Sequence, residues 1–128
     1  MKQEIKFRGW DLVNEKMLPV ENINFREDLI SLDEGDNSLT DSSDMIEIMQ
    51  FANKVDEFGN DIYCGDLISD RPNGKYICEV IYDNDLKAFA TRNIKTKNVS
   101  YLSEFTYAYI VGNIYQNFNL LTTSTNEA

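Results

Sequence analysis

Asp61 and Asp66 are the carboxylates best spaced to share acid–base work, set in the segment DIYCGDLI, Asp61 through Ile68, with the thiol of Cys64 between them. One carboxylate that holds a proton and one that accepts it can drive hydrolysis. The same residues also make turns. An Asp ahead of a strand and an Asp after Gly65 accept backbone N–H bonds with their side chains. The turn reading is the stronger, so no catalytic residue is assigned. Cys64 has no cation beside it, and Asp61, Asp66 and Asp70 disfavour a thiolate. It is expected to be a structural or incidental thiol.

The chain has no histidine, which excludes Ser-His and Cys-His nucleophiles, His general bases and His-ligated metals. The run DEGDNSLTDSSD, Asp33 to Asp44, holds enough acids to suggest calcium. A calcium loop of the EF-hand kind needs alternating ligands, Gly at the sixth place and Glu at the twelfth, and this run has neither. Gly59, Gly65, Gly74 and Gly112 stand alone, as turn glycines do, and form no phosphate-cradling loop. No metal and no cofactor is expected.

A chain of 128 residues, 42% of them hydrophobic, can bury a core without staples. No apolar stretch approaches the roughly 18 residues of a membrane span, and Met1-Lys2-Gln3-Glu4-Ile5-Lys6 lacks the apolar run of a signal peptide. The expected location is the cytoplasm, without membrane contact. In that reducing compartment Cys64 and Cys78 are expected as free thiols. The net charge of −10 is uneven. Residues 21–70 hold fourteen acids against Arg26 and Lys54, a net of −12, and the remainder sums to +2. Such a surface repels phosphate backbones, so direct nucleic-acid binding is disfavoured. The plain reading of the acidic block is a solubilising face.

The elements follow from pattern and turn chemistry. Ile5, Phe7 and Trp10, a turn at Asn14-Glu15-Lys16, and Met17 to Val20 read as a hairpin, whose second strand must be an edge, or end, at Pro19. Phe25 to Leu32 fits neither the helical nor the strand period cleanly, so a short helix and a strand both stay open. Asp33 to Asp44 reads as a mobile polar loop. Met45 to Phe51 suits a buried strand, and Asp56 to Asn60, Gly65-Asp66 and Arg71 to Gly74 are turns. In Lys75 to Tyr82, Tyr76, Cys78, Val80 and Tyr82 share one face and Ile77 and Ile81 the other, which predicts a strand covered on both sides. Leu86 to Arg92 completes its hairpin, a helical turn is expected within Val99 to Phe105, and Tyr107 to Ile114 closes the domain. The expected class is mainly β with little helix. A hairpin arm and acidic loop occupy residues 1–44, a small barrel residues 45–121, and a disordered tail residues 122–128.

Three blocks carry a family resemblance. Lys6-Phe7-Arg8-Gly9-Trp10-Asp11 with Lys16-Met17 resembles the opening of YopX-like proteins, small proteins of phages and prophages in Gram-positive bacteria. Met49-Gln50-Phe51, then Asp56, Gly59, Ile62, Tyr63, Gly65 and Asp66, is similar to the family's core. Ile110-Val111-Gly112-Asn113-Ile114-Tyr115-Gln116-Asn117, closing on Leu120-Leu121, resembles its ending. The chain departs where the family commonly has Thr-Gly, here Ala52-Asn53; where it has Glu before Gly-Asp, here Cys64; and where a Pro is expected, here Phe118. The resemblance implies an SH3-like barrel in the C-terminal part and no general activity.

The functional expectation is a non-catalytic accessory protein of a phage or prophage, acting on an unknown host or phage protein in the host cytoplasm. Two sets of residues are candidates for that contact. Tyr107, Tyr109 and Phe118 would anchor a partner or a second copy of the chain, if exposed. Asp33, Glu34, Asp36, Asp41 and Asp44 would mimic nucleic-acid charge in a basic groove of a defence or DNA-handling protein. An enzyme built on carboxylates is the weakest alternative.

Overall fold

The computed structural model describes residues 3–121; the expected tail, residues 122–128, lies outside them. Strands β1 (Phe7–Asp11), β2 (Lys16–Asn24), β3 (Leu29–Asp33), β4 (Ser38–Ser42) and β5 (Ile46–Val55) come first. Strands β6 (Asp61–Tyr63), β7 (Asp66–Ser69), β8 (Ile77–Asp83), β9 (Ala88–Asn93), β10 (Val99–Tyr101) and β11 (Tyr109–Asn113) follow. Short 3-10 turns occupy Ser43–Met45 and Leu102–Glu104. The fold is mainly β, as expected, with two antiparallel sheets. The chain forms two compact units, residues 1–51 and 52–128, and the division falls inside β5.

One turn design recurs. In each case an Asp or Asn opens the turn, its side chain accepts the backbone N–H two or three residues on, and a residue with positive φ closes it. Asp11 accepts from Val13 (2.9 Å) and Asn14 (3.2 Å), and Glu15 closes at φ 55°. Asn24 accepts from Glu27 and Asp28 closes at 56°; Asp83 accepts from Leu86 and Lys87 closes at 56°. Asn93 accepts from Lys95 and Thr96, and Lys97 closes at 67°. An Asx side chain replaces the backbone acceptor that a tight turn leaves unavailable, which lets each hairpin reverse without glycine.

In the first unit the strands run in the order β4-β3-β2-β1-β5. Ile30, Leu32 and Ile46 form its buried cluster, with Leu18, Val20 and Leu39 packed on it. Contrary to expectation, β2 is neither an edge strand nor ended by its proline: it runs on to Asn24 between β1 and β3, and changes partner at Pro19. Pro19 is the last residue of β2 in register with β1, opposite Arg8, and pairing with β3 begins at Val20. The ambiguous stretch 25–32 resolves into a turn followed by β3, because alternation from Leu29 puts Ile30 and Leu32 in the core.

The loop expected at Asp33 to Asp44 is instead a hairpin. β4 pairs with β3 in the register Ser31↔Thr40 and Leu32↔Leu39. Leu39, the one apolar residue in the run, reaches the core, while Ser31 and Thr40 hydroxyls meet at 2.7 Å. The tip is a turn with Glu34 N–H bonded to the Asn37 carbonyl and Gly35 at φ 97°. A single half-buried leucine and paired hydroxyls suffice to hold a strand that composition assigns to a loop.

Gly9 of β1 lies under that cluster. A Cβ there would sit 2.7 Å from Leu32 Cδ2 and 2.8 Å from Ile46 Cγ2. Gly9→Ala is expected to lower stability by about 1–3 kcal/mol through overpacking, read as a lower urea midpoint at unchanged slope.

In the second unit the five-stranded sheet has the order β10-β9-β8-β7-β11. Ala52, Ile62, Ile68, Cys78, Val80, Leu102 and Ala108 form its core, with Phe89, Phe105 and Ile110 against it. The expected barrel does not close among the described residues: β10 and β11 remain as sheet edges, since three-residue β10 ends in a 3-10 turn. The strand read as covered on both sides begins at Ile77, and Tyr76 and Tyr82 at its ends are half exposed. Only Cys78 and Val80 of that face are buried, because a hairpin strand loses cover where its turns begin. Helical residues 118–121 end the described chain.

Candidate functional site

The second unit carries a groove of about 410 Å³ between the β7–β8 turn and the segment that links β10 to β11. Its position follows from two local constraints. Gly74 lets the β7–β8 turn pass close over Ser69, since a Cβ would lie 2.2 Å from the Ser69 hydroxyl. That tight passage delivers Tyr76 to the start of β8. On the other wall Leu102, buried in the core, pins the 3-10 turn, and its flanking residues Tyr101 and Glu104 are left outside. Phe105 N–H bonds the Leu102 carbonyl at 3.0 Å and turns the chain towards Thr106 and Tyr107.

The lining is aromatic and acidic. Tyr76, Tyr101, Phe105 and Tyr107 supply rings, Asp70 and Glu104 supply carboxylates, and no Lys or Arg lines the groove. Tyr76 and Phe105 stack with centroids 6.3 Å apart and planes 24° apart. Cys78 beside Tyr76, with burial, holds the Tyr76 hydroxyl above its ordinary pKa, so it is a neutral hydrogen-bonding group at physiological pH. Burial pushes the Cys78 thiol up in turn, against hydrogen bonds with Tyr76, Thr91 and Asn93. The thiol beneath the groove is therefore protonated and a poor nucleophile. Cys64 and Cys78 form no disulfide.

The structure separates the residues singled out from the sequence. Tyr107 lines the groove and is 62% exposed. Tyr109, two residues on, packs edge-on against Phe58 at 5.5 Å instead. Phe118 is exposed and stands outside the groove lining. Asp33, Glu34, Asp36, Asp41 and Asp44 lie on or beside the β3–β4 hairpin of the first unit. Several of these acids have local tasks: Asp33 accepts the Gly35 N–H at 2.7 Å, Glu34 pairs with Lys16 at 3.1 Å, and Asp41 accepts the Ser42 N–H. Asp70, Tyr76 and Glu104 of the groove were not anticipated. The available signal was Gly74 directly ahead of Lys75-Tyr76, which marks a turn that projects the next aromatic.

The chemistry-bearing segment DIYCGDLI is a structural corner. Asp66 is buried and accepts the Tyr63 N–H at 2.8 Å, while Gly65, at φ 95°, donates to the Val80 carbonyl and accepts from Ile114. Asp61 opens β6 and Asp66 opens β7. The ending block has the same character. Asn113 accepts from Tyr115 and Gln116, and Asn117 accepts from Asn113. Gly112 is required beside it, because a Cβ would lie 2.6 Å from Asn117. Among the described residues no group of three or more Cys, Asp or Glu converges as a metal site requires. No helix among them is long and apolar enough to cross a membrane.

Two antiparallel sheets, Asx-opened turns and an open aromatic groove define a small all-β protein. The chain belongs to the YopX protein family, whose model matches residues 6–122. Among solved structures it resembles protein EF1440 from Enterococcus faecalis, with a TM-score of 0.65 and 22% identity over 94% of this chain and 99% of that one. It also resembles protein yopX from Bacillus subtilis, with a TM-score of 0.60 and 21% identity over 91% of this chain and 95% of that one. No curated protein matches it. One family departure has a physical account: Asn53, where a Gly was expected, adopts φ 57°, a conformation that Asn tolerates better than most residues.

Proposed function

We propose that this is a non-catalytic accessory protein of a phage or prophage of Gram-positive bacteria, which acts in the host cytoplasm by binding another protein. The observation that carries the reading is the groove, where three half-exposed tyrosines and two carboxylates face solvent together. Exposed apolar residues are ordinary when scattered, but rings gathered in a concavity mark contact surfaces. Some of the groups that could do chemistry have structural tasks: Asp56 and Asp66 hold backbone N–H groups, and Cys78 is buried.

We also read the second unit as an open relative of SH3-like barrels. Supporting this are the run of three hairpin-linked neighbours after β7, the return of β11 to the side of β7, and the 3-10 turn before β11.

A second reading keeps the acidic block as a mimic of nucleic-acid charge, favoured by the exposure of Asp33, Glu34, Asp36 and Asp44 at one hairpin. A single capture experiment separates the two. Tagged protein expressed in the host during infection is compared with Tyr107→Ala and with a variant carrying amides at Asp33, Glu34, Asp36, Asp41 and Asp44. Loss of a reproducible partner only with Tyr107→Ala is the expected result. Loss only with the amide variant, and in a salt-sensitive way, transfers the function to the acidic hairpin.

A further inference from the structure

Rings and carboxylates in one groove narrow the kind of protein segment it can hold. Tyr76 is 53% exposed, Tyr101 43% and Tyr107 62%, so flat apolar faces are open to a ligand. Aromatic grooves also stack nucleic-acid bases, but those sites track the phosphates with cations. This groove offers Asp70 and Glu104 where phosphates would run. The charge therefore selects a cationic ligand, whose guanidinium or ammonium groups gain from both the carboxylates and the ring faces.

The backbone form of the ligand follows from what borders the groove. Strand addition needs an edge with several free backbone groups, and β10 has only three residues before its 3-10 turn. A polyproline II segment needs no edge. Its prolines lie on aromatic faces, and its carbonyls, unpaired within the segment, are open to hydroxyl donors such as Tyr107 and Ser100. Asp70 already faces Arg71, with Oδ1 3.7 Å from Nε, but both side chains are exposed, and a pair of that kind is readily exchanged for a ligand cation.

We infer that the groove between the β7–β8 turn and the 3-10 turn binds an extended, basic, proline-bearing peptide segment of a partner protein, with prolines on the tyrosine rings and Arg or Lys at Asp70 and Glu104. The inference rests on the reading of this protein as a protein-binding module and names the chemistry of what it binds.

The test uses the full chain and a fluorescent peptide with proline at every third position and arginines between, followed by anisotropy. Control probes replace Arg by Glu, replace Pro by Gly, or substitute a thymidine oligonucleotide. The basic proline peptide should bind best. Tyr76→Ala and Tyr107→Ala should each weaken it by about tenfold, as removal of a central aromatic does. Asp70→Asn with Glu104→Gln should weaken it by several-fold and flatten its salt dependence. Tyr107→Phe keeps the ring but loses its hydroxyl donor, so it should weaken binding by less than Tyr107→Ala does, and unchanged far-ultraviolet dichroism excludes misfolding as the cause.

Equal binding of the acidic or the glycine probe, preference for the oligonucleotide, or a dimer in sedimentation that Tyr107→Ala dissolves would overturn the assignment. If none of the peptides discriminates but Tyr107→Ala still abolishes partner capture, the peptide chemistry falls and the binding-module reading stands. If Tyr107→Ala changes neither, both fall.

Discussion

Asp56→Ala is expected to cost about 2–4 kcal/mol, because the carboxylate it removes holds several backbone N–H groups inside the second unit and hydrogen bonds to charged groups are among the strong ones. Asp56 is 4% exposed. One oxygen accepts from Phe58 and Asn60 at 2.9 Å, and the other from Ile110 at 3.3 Å. The side chain thus ties the β5–β6 turn to the first residues of β11, where Glu57 N–H also meets the Ala108 carbonyl. Alanine leaves those donors facing a space that lacks an acceptor. Asp56→Asn keeps one acceptor oxygen and should cost roughly half as much on that count.

The pH dependence has a definite sign. Burial alone would raise the Asp56 pKa, but the N–H bonds from Asn60, Ile110 and Phe58 outweigh it and hold the pKa below the ordinary value. Asp11 behaves in the same way, with burial opposed by Asn14 and Val13. A carboxyl with a depressed native pKa contributes stability that is complete above its unfolded pKa, about 4, and is lost as pH falls through the native value. Urea midpoints should therefore hold between neutrality and about pH 5 and fall below about pH 4. The difference between the native chain and Asp56→Asn isolates the contribution of this one group from that of the other carboxylates. That difference should shrink as pH falls from about 5 towards 3. A constant difference across that range would show that Asp56 acts through shape alone.

The same carboxylates explain how much could be read beforehand. Turns announced themselves because Asx and Gly residues have local chemistry: Asp56 to Asn60, Gly65-Asp66 and Arg71 to Gly74 sit where their hydrogen bonds require them. Strands with several alternating apolar residues, such as β8, were equally legible, since burial has a period of two. The β3–β4 hairpin was not, because β4 packs only Leu39, half-buried, on the core and takes the rest of its order from pairing with β3, a partner that composition cannot reveal. The groove escaped for a related reason. Tyr76 shares strand phase with Cys78 and Val80, yet its ring is half exposed because the Gly74 turn lifts it to the end of the sheet. Phase along a strand is encoded locally, whereas the point at which cover runs out depends on the neighbouring loops.

Ile68→Ala is expected to cost about 2–5 kcal/mol, the range for deleting a large aliphatic side chain from a core that cannot collapse onto the gap. Ile68 is fully buried, and every residue of β7 is buried with it. β7 has β8 on one side and β11 on the other, with Ile68 opposite Cys78 and Ile110. Neither neighbour can close the space without breaking a ladder, so the cavity term should be retained in full. Ile68→Val removes one methylene and should cost only about 0.5–1.5 kcal/mol. Against a total stability of roughly 5–15 kcal/mol the alanine change is large, and chemical denaturation would show it as a lower midpoint. Asp70, two residues beyond Ile68, stands on the groove, but the ring positions are set by Gly74 and Leu102. The folded fraction of Ile68→Ala should therefore bind the proline-bearing probe as the native chain does, whereas Tyr107→Ala should lose binding at undiminished stability. Opposite responses of stability and binding in these two variants would separate the core that builds the groove from the rings that use it.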